Sequence, residues 1–139
     1  MLRDRVFAGY MVLQAIGGLT LWGLLAWSDP VRDALEMLES EPAVIDAFVF
    51  ADMFVGVGGS LVAAWLLATH RRAAVPVTAF LAGGMVYPTM VLVGWVGFTA
   101  TGNAMLAIMV PPSIISSWIA WQTWRAPSGT RPPGSPPPA

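Results

Sequence analysis

The sequence predicts an all-α membrane protein, a bundle of four antiparallel transmembrane helices. Composition is the first observation behind this fold class: 56% of the 139 residues are hydrophobic and only 11% are charged. Soluble domains carry about 25% charged residues. Because a chain this short keeps much of its surface exposed, the bilayer must be the solvent for most of that apolar surface.

Four long apolar runs are the second observation. A helix of about 20 apolar residues crosses the hydrocarbon core, and the four runs cover about residues 6–27, 47–69, 75–98 and 104–124. They predict one transmembrane domain over residues 1–125, with successive spans as neighbours because the connections are short. The first run is too long for the hydrophobic core of a signal peptide, so we interpret it as a retained span.

The remaining segments predict one short helix and a disordered tail. Residues 28–42 form a polar connection in which Asp29 caps an amphipathic helix and Pro30 occupies its first turn. Its apolar residues recur at helical spacing and are expected to lie on the outer membrane surface: Val31, Leu35 and Leu38. Residues 126–139 are rich in Pro, Gly and Ser, which predicts a disordered cytoplasmic tail.

The arginines predict the orientation, which is the third observation. With four spans both termini share a side, and on that side fall Arg3, Arg5, Arg71, Arg72, Arg125 and Arg131. Only Arg32 lies in the first loop. The positive-inside rule therefore predicts cytoplasmic termini in a multi-pass protein of a plasma or inner membrane.

Composition also excludes several classes of site. The chain has no cysteine and one histidine, which removes disulfides, thiolate metal sites and a His-rich metal cage. A net charge of −1 gives no reason to expect a nucleic-acid partner. No phosphate-binding loop, nucleophile elbow or HExxH helix is present. We therefore expect no cofactor, no metal and no catalytic residue, and an enzyme is the less favoured interpretation.

The second span carries a face of small residues with one acid. At about 100° per residue, Asp52, Gly56, Gly59 and Ala63 fall on one side, with Ser60 at its edge. Gly56, Ser60 and Ala64 also repeat at intervals of four, a spacing that lets helix backbones approach closely. These five small residues are predicted to pack against neighbouring helices.

Asp52 is the centre of a predicted polar pocket. A carboxylate facing lipid is costly, so its side chain should point into the bundle. By helical rise, a set of polar residues lies at a similar depth, about 8–15 Å from the outer boundary: Thr20, Tyr87, Thr89 and Ser113. Gln14 lies deeper on the first span and would extend the polar path inward.

Prolines in the third and fourth spans give this region a second feature. Pro88 removes the hydrogen bond to the carbonyl of Gly84, and Pro111 and Pro112 do the same to two carbonyls of the fourth span. Freed carbonyls in lipid need partners, which Ser and Thr side chains, water or a ligand supply.

Two interpretations of Asp52 stay open. In one, Asp52 is a protonated or hydrogen-bonded acid with a structural role, paired with Tyr87 or Thr20; in the other, it binds a cation, exchanges a proton or orients a ligand.

The end of the second span predicts a membrane-surface anchor. His70, Arg71 and Arg72 follow it directly and are expected to reach the cytoplasmic headgroups. His70 lies too far along the helix to touch Asp52. At the opposite end, Asp46 is expected to cap the helix.

Three functions fit these patterns. The first is a non-enzymatic membrane protein that forms a homo-oligomer or is an accessory subunit of a larger membrane complex. The second is a small transporter or channel component with Asp52 as a proton or cation site. The third is a lipid-binding or lipid-modifying protein whose pocket opens between the third and fourth spans. In all three the lipid bilayer is a partner.

Overall fold

The computed structural model describes residues 2–35, 48–100 and 102–126, and every secondary-structure element in these ranges is helical. The helices are α1 (Leu2–Trp27), α2 (Asp29–Leu35), α3 (Phe48–Ala68), α4 (Ala74–Thr99) and α5 (Asn103–Arg125). All except α2 are long and apolar enough to cross a membrane, which confirms the prediction of four such helices. Leu38, Asp46 and the predicted tail beyond Ala126 lie outside the described residues.

The starts of the first two helices differ from the predicted ones. α1 begins at Leu2, before the apolar run, because the charged Arg3 and Asp4 are also helical. α2 starts at Asp29, and the carbonyl of Ser28 accepts hydrogen bonds from the third and fourth residues that follow it. Asp29 therefore lies in the first turn of α2 rather than at the predicted cap position before it.

α4 and α5 continue through their prolines, and the turn between them requires an unusual backbone. Pro88 lies within α4, and Pro111 and Pro112 lie within α5. Between the helices, Ala100 has φ 58° and Gly102 has φ 84°. Glycine adopts this left-handed region without the steric cost that other residues meet, which explains a glycine at the second of these positions.

The long helices pack in chain order. α1 contacts α3, α3 contacts α4, and α4 contacts α5. A hydrophobic cluster centred on Met11, Leu67, Leu81 and Ile119 joins all four helices. α1 and α5 approach each other mainly through side chains near one end, where the rings of Phe7 and Trp118 meet edge to face at 5.3 Å. Beyond that end the two helices leave a cleft.

Candidate binding site

A cavity of about 350 Å³ lies between α1 and α5, with α3 behind it. This volume falls within the range of small-molecule sites. The cavity is half-open to the surface, and its wall is mostly apolar. Leu13 of α1 and Ile108 of α5 line it and are themselves exposed, so they mark the two edges of the opening. We call this space the α1–α5 cleft; its other lining residues are Tyr10, Gln14, Gly17, Gly18, Leu21, Trp22, Asp52, Gly56, Val57, Met85, Met109, Pro111, Pro112 and Ile115.

Asp52 and Trp22 lie together at one end of the α1–α5 cleft. The indole Nε1–H of Trp22 donates to Oδ2 of Asp52 at 3.2 Å, so the acid of α3 is held by α1. Both residues line the cavity. A carboxylate offers about four acceptor positions, and this hydrogen bond uses one of them. The pair therefore presents a carboxyl acceptor beside an aromatic ring.

A stretch of π-helix places Asp52 there. Residues Asp52–Gly58 form π-helical turns inside α3, and α-helix resumes at Gly59. The hydrogen bonds of a π-helix join residues that are five apart in sequence, so Asp52 and Val57 lie on nearly the same side of α3. Both line the cavity, and Gly56 lines it beside them. Such segments occur often at functional sites.

The predicted small-residue face of α3 is divided by this change of pitch. Gly56 lines the α1–α5 cleft, whereas Gly59 faces α4, where an added Cβ would lie 2.9 Å from Cδ2 of Leu81. Ala63 and Ala64 are buried in the hydrophobic cluster. The face is therefore occupied by helices of the same chain.

Gln14 joins three helices by hydrogen bonds. Its Nε2 donates to the hydroxyl of Ser60 on α3 at 3.0 Å, and its Oε1 accepts from the hydroxyl of Ser116 on α5 at 2.8 Å. Ser60 in turn donates to the carbonyl of Gly56, which fixes the orientation of the Gln14 amide. Both serines are fully buried, and Tyr10 lies within hydrogen-bonding reach of Ser116. This polar cluster is the main direct link between α1 and α5 within the cleft.

Thr20 and Tyr87 do not join this site. The hydroxyl of Thr20 donates to the carbonyl of Ile16 one turn earlier, and the residue is exposed. Tyr87 is 74% exposed on the outside of α4. The expected pairing of Asp52 with either residue is therefore wrong. Trp22, two residues beyond Thr20, bonds to Asp52 because the helix turns Thr20 away and the long indole reaches across.

Thr89 and Ser113 come together, but they tie α4 to α5 instead of lining the cavity. Their hydroxyls lie 2.6 Å apart, and both are buried. The hydroxyl oxygens of Thr89 and Ser113 lie 2.7 and 2.9 Å from the carbonyl oxygen of Met85, and that of Ser113 lies 2.8 Å from the carbonyl oxygen of Met109, so the two O–H groups share these acceptors. The accepting carbonyls, those of Met85 and Met109, each follow by one residue a carbonyl that the prolines were predicted to free. This contact joins α4 to α5 in the region where the sequence suggested an opening between the third and fourth spans.

His70 bonds to an acid instead of acting only as a surface anchor. Its Nδ1 lies 2.9 Å from Oδ2 of Asp4, a buried carboxylate that also accepts from Arg3 at 2.9 Å. Arg3 reaches the carbonyl of Ala126 at 2.7 Å, beyond the end of α5. This charged cluster joins the start of α1 to the ends of α3 and α5. The expectation that His70 lies at the surface overlooked Asp4, which precedes the apolar run; Arg71 and Arg72 are exposed.

The α1–α5 cleft combines a mostly apolar lining with a few polar groups. Its lining contains one carboxylate, one amide and two groups with N–H or O–H donors, in a wall that is otherwise apolar. In the described ranges, no group of three or more His, Cys, Asp and Glu side chains is placed to hold a metal ion. Serine hydroxyls near the cleft are engaged with carbonyls or with Gln14. The arrangement is suited to hold an apolar molecule with one polar end.

Comparison with known proteins gives no relative from which a function could be transferred. The chain matches no protein-family model, and comparisons with curated proteins and with solved structures found no match.

Proposed function

We propose that this protein is a multi-pass membrane protein that binds a hydrophobic guest molecule from the bilayer in the α1–α5 cleft. In this proposal the four long helices form an antiparallel transmembrane bundle with both termini in the cytoplasm. The arginine distribution supports the orientation. Large apolar side chains exposed on the described helices, such as Phe50, Phe54 and Phe80, support lipid as the surrounding solvent.

The half-open cavity is the observation that carries the proposal. Its opening lies between two helices whose apolar side chains would face lipid, so a guest would enter sideways from the bilayer. Its wall is apolar over most of its area, and its polar groups are gathered at a few positions. Small-molecule sites combine these two properties: apolar surface supplies affinity, and a few polar groups fix orientation.

Two glycines of α1 allow a matched test. Gly17 lines the cleft and Gly9 does not, yet both are exposed and an added Cβ at either position meets nothing within 4 Å. Gly17→Leu should therefore fill the cavity without straining the helix. Gly9→Leu adds the same side chain to the same helix outside the cleft and is the control.

Native mass spectrometry of the protein released from mild detergent would measure the bound guest. The wild-type protein and Gly9→Leu should retain a small-molecule adduct at fixed stoichiometry, and Gly17→Leu should lose most of it. An adduct that persists equally in Gly17→Leu would refute binding in the cleft. Recovery of the chain in the soluble fraction without detergent would refute the membrane proposal itself.

A subunit or homo-oligomer is the second candidate, favoured by bare glycines on the outside of α4. Gly83, Gly94 and Gly97 have open space where a side chain would project, and small residues let helices of another chain approach closely. The same mass spectra test it, because a second protein or a second copy at fixed stoichiometry would support it. Transport through Asp52 is a third proposal; loss of flux in Asp52→Asn would support it, and unchanged flux would oppose it.

A further inference from the structure

We infer that the α1–α5 cleft is selective for a single-chain amphiphile with a cationic ammonium head, which binds at Asp52 and Trp22. This inference rests on the proposed function and adds the chemical class of the guest. The head would take the end of the cleft where the carboxylate and the indole lie together. The apolar tail would follow α1 toward Tyr10.

Charge is the first reason. Asp52 is the carboxylate among the described residues that line the cavity, and that lining contains no Arg, Lys or His. A cationic head would pair with the carboxylate of Asp52, whereas an anionic head would find no cationic side chain in this lining. The attraction between opposite charges is stronger in a site shielded from water than in water itself. A neutral guest would bind through its tail alone.

The aromatic neighbour is the second reason. Trp22 donates to Asp52 through Nε1 and lines the same cavity. Alkylammonium groups bind to aromatic faces and to carboxylates, and tryptophan is the strongest of the aromatic partners. A divalent metal such as Ca²⁺ takes six to eight oxygen ligands, and one carboxylate does not supply them. The pair therefore favours an organic cation.

The state of Gln14 is the third reason. Both polar atoms of its amide are already bonded, Nε2 to Ser60 and Oε1 to Ser116. A guest in the deeper part of the cleft therefore meets few polar atoms that still need a hydrogen-bond partner, so an apolar tail is suited to this part. From Trp22 to Tyr10 the cleft runs about 18 Å along α1, taking 1.5 Å per residue, which is a length suited to one alkyl chain.

The test compares two probes with the same chain. Radiolabelled dodecyltrimethylammonium and radiolabelled dodecanol would be titrated against the full-length protein in dodecyl maltoside micelles, with protein-free micelles as background. The variant Asp52→Asn keeps an oxygen that accepts from Trp22, so the fold should be retained. Asp33→Asn, which neutralises an exposed acid on α2, controls for attraction of the cation to the surface.

We expect the wild-type protein and Asp33→Asn to bind the cation about tenfold more tightly than the alcohol, given ion pairing with Asp52 and a cation–π contact with Trp22 together. Asp52→Asn should lose most of this preference, because only the cation–π contact remains. Equal affinity of the wild type for both, with binding reduced in Gly17→Leu, would overturn the cation selectivity and leave the proposed function intact. Absence of binding of either probe, or no effect of Gly17→Leu, would overturn both. Displacement of the cation by small amounts of phosphatidylcholine would overturn the assignment to a single-chain guest.

Discussion

The hydrogen bond between Gln14 and Ser116 should contribute measurably to stability because it links α1 to α5 across the cleft. Ser116→Ala removes the hydroxyl that donates to Gln14 Oε1 at 2.8 Å. Ser116 is fully buried, so water cannot replace the lost donor. Its neighbour Ser117 donates only to Ser113 within α5, which makes Ser117→Ala the matched control.

The magnitude follows from the proposed membrane setting. Interhelical hydrogen bonds in membrane proteins contribute about 0.6 kcal/mol on average and up to about 1.7 kcal/mol. The buried position and short distance place this bond in the upper half, and Tyr10 loses a neighbour as well. We therefore expect Ser116→Ala to lower the free energy of unfolding by about 1–1.7 kcal/mol, and Ser117→Ala by less than about 0.5 kcal/mol.

Reversible unfolding in mixed micelles, titrated with SDS and followed by tryptophan fluorescence, would measure both changes. A double-mutant cycle with Gln14→Leu isolates the pairwise energy, because Gln14 also bonds to Ser60. Coupling of at least about 0.6 kcal/mol is expected. Equal effects of the two serine variants, or additivity within about 0.3 kcal/mol, would show that the bond does not hold α1 to α5.

Two further predictions concern packing and charge. Gly84→Leu should lower the free energy of unfolding by about 1–3 kcal/mol through overpacking, because an added Cβ would lie 2.9 Å from a valine methyl of α3. Gly83→Leu places its side chain in open space and should leave the free energy of unfolding nearly unchanged. Equal SDS midpoints of the two variants would contradict this. Asp4→Asn should lower the free energy of unfolding by about 1–3 kcal/mol, because the buried carboxylate bonds to Arg3 and His70. The exposed Asp33→Asn should leave the SDS midpoint unchanged. An unchanged midpoint in Asp4→Asn as well would show that this cluster does not stabilise the helix ends.

The four long helices could be predicted from the sequence because their apolar runs are longer than any other pattern in the chain. Hydropathy locates an apolar run but does not locate the end of a helix. For this reason α1 starts at Leu2, earlier than predicted, and the buried Asp4 was missed as a partner of His70. A charged residue before an apolar run is ordinarily exposed, and only the proximity of the ends of α1 and α3 makes this one buried.

The candidate site was predictable only in part. The cost of an acid in lipid was enough to single out Asp52 and to turn it inward, and Gln14 was recognised as the next polar residue along the first span. Trp22 was not recognised, because depth alone ranked the polar residues Thr20 and Tyr87 as equal candidates. The π-helical turns of Asp52–Gly58 also changed which residues share a face, and a fixed angle per residue does not register such a change.

The walls of the α1–α5 cleft come from the first and the last of the described helices, and this has a consequence for biogenesis. Protein chains emerge from the ribosome starting at the N-terminus, so α1 and α3 are made while one wall is still missing. Asp52 is then already joined to a helix that carries Trp22, but it borders an unfilled space. In the proposed bilayer, a chain halted before α5 would leave that carboxylate beside lipid, an arrangement that is costly. The α1–α5 cleft is thus formed only once α5 has been made, and occupancy of the cleft would report that α5 has joined α1 and α3.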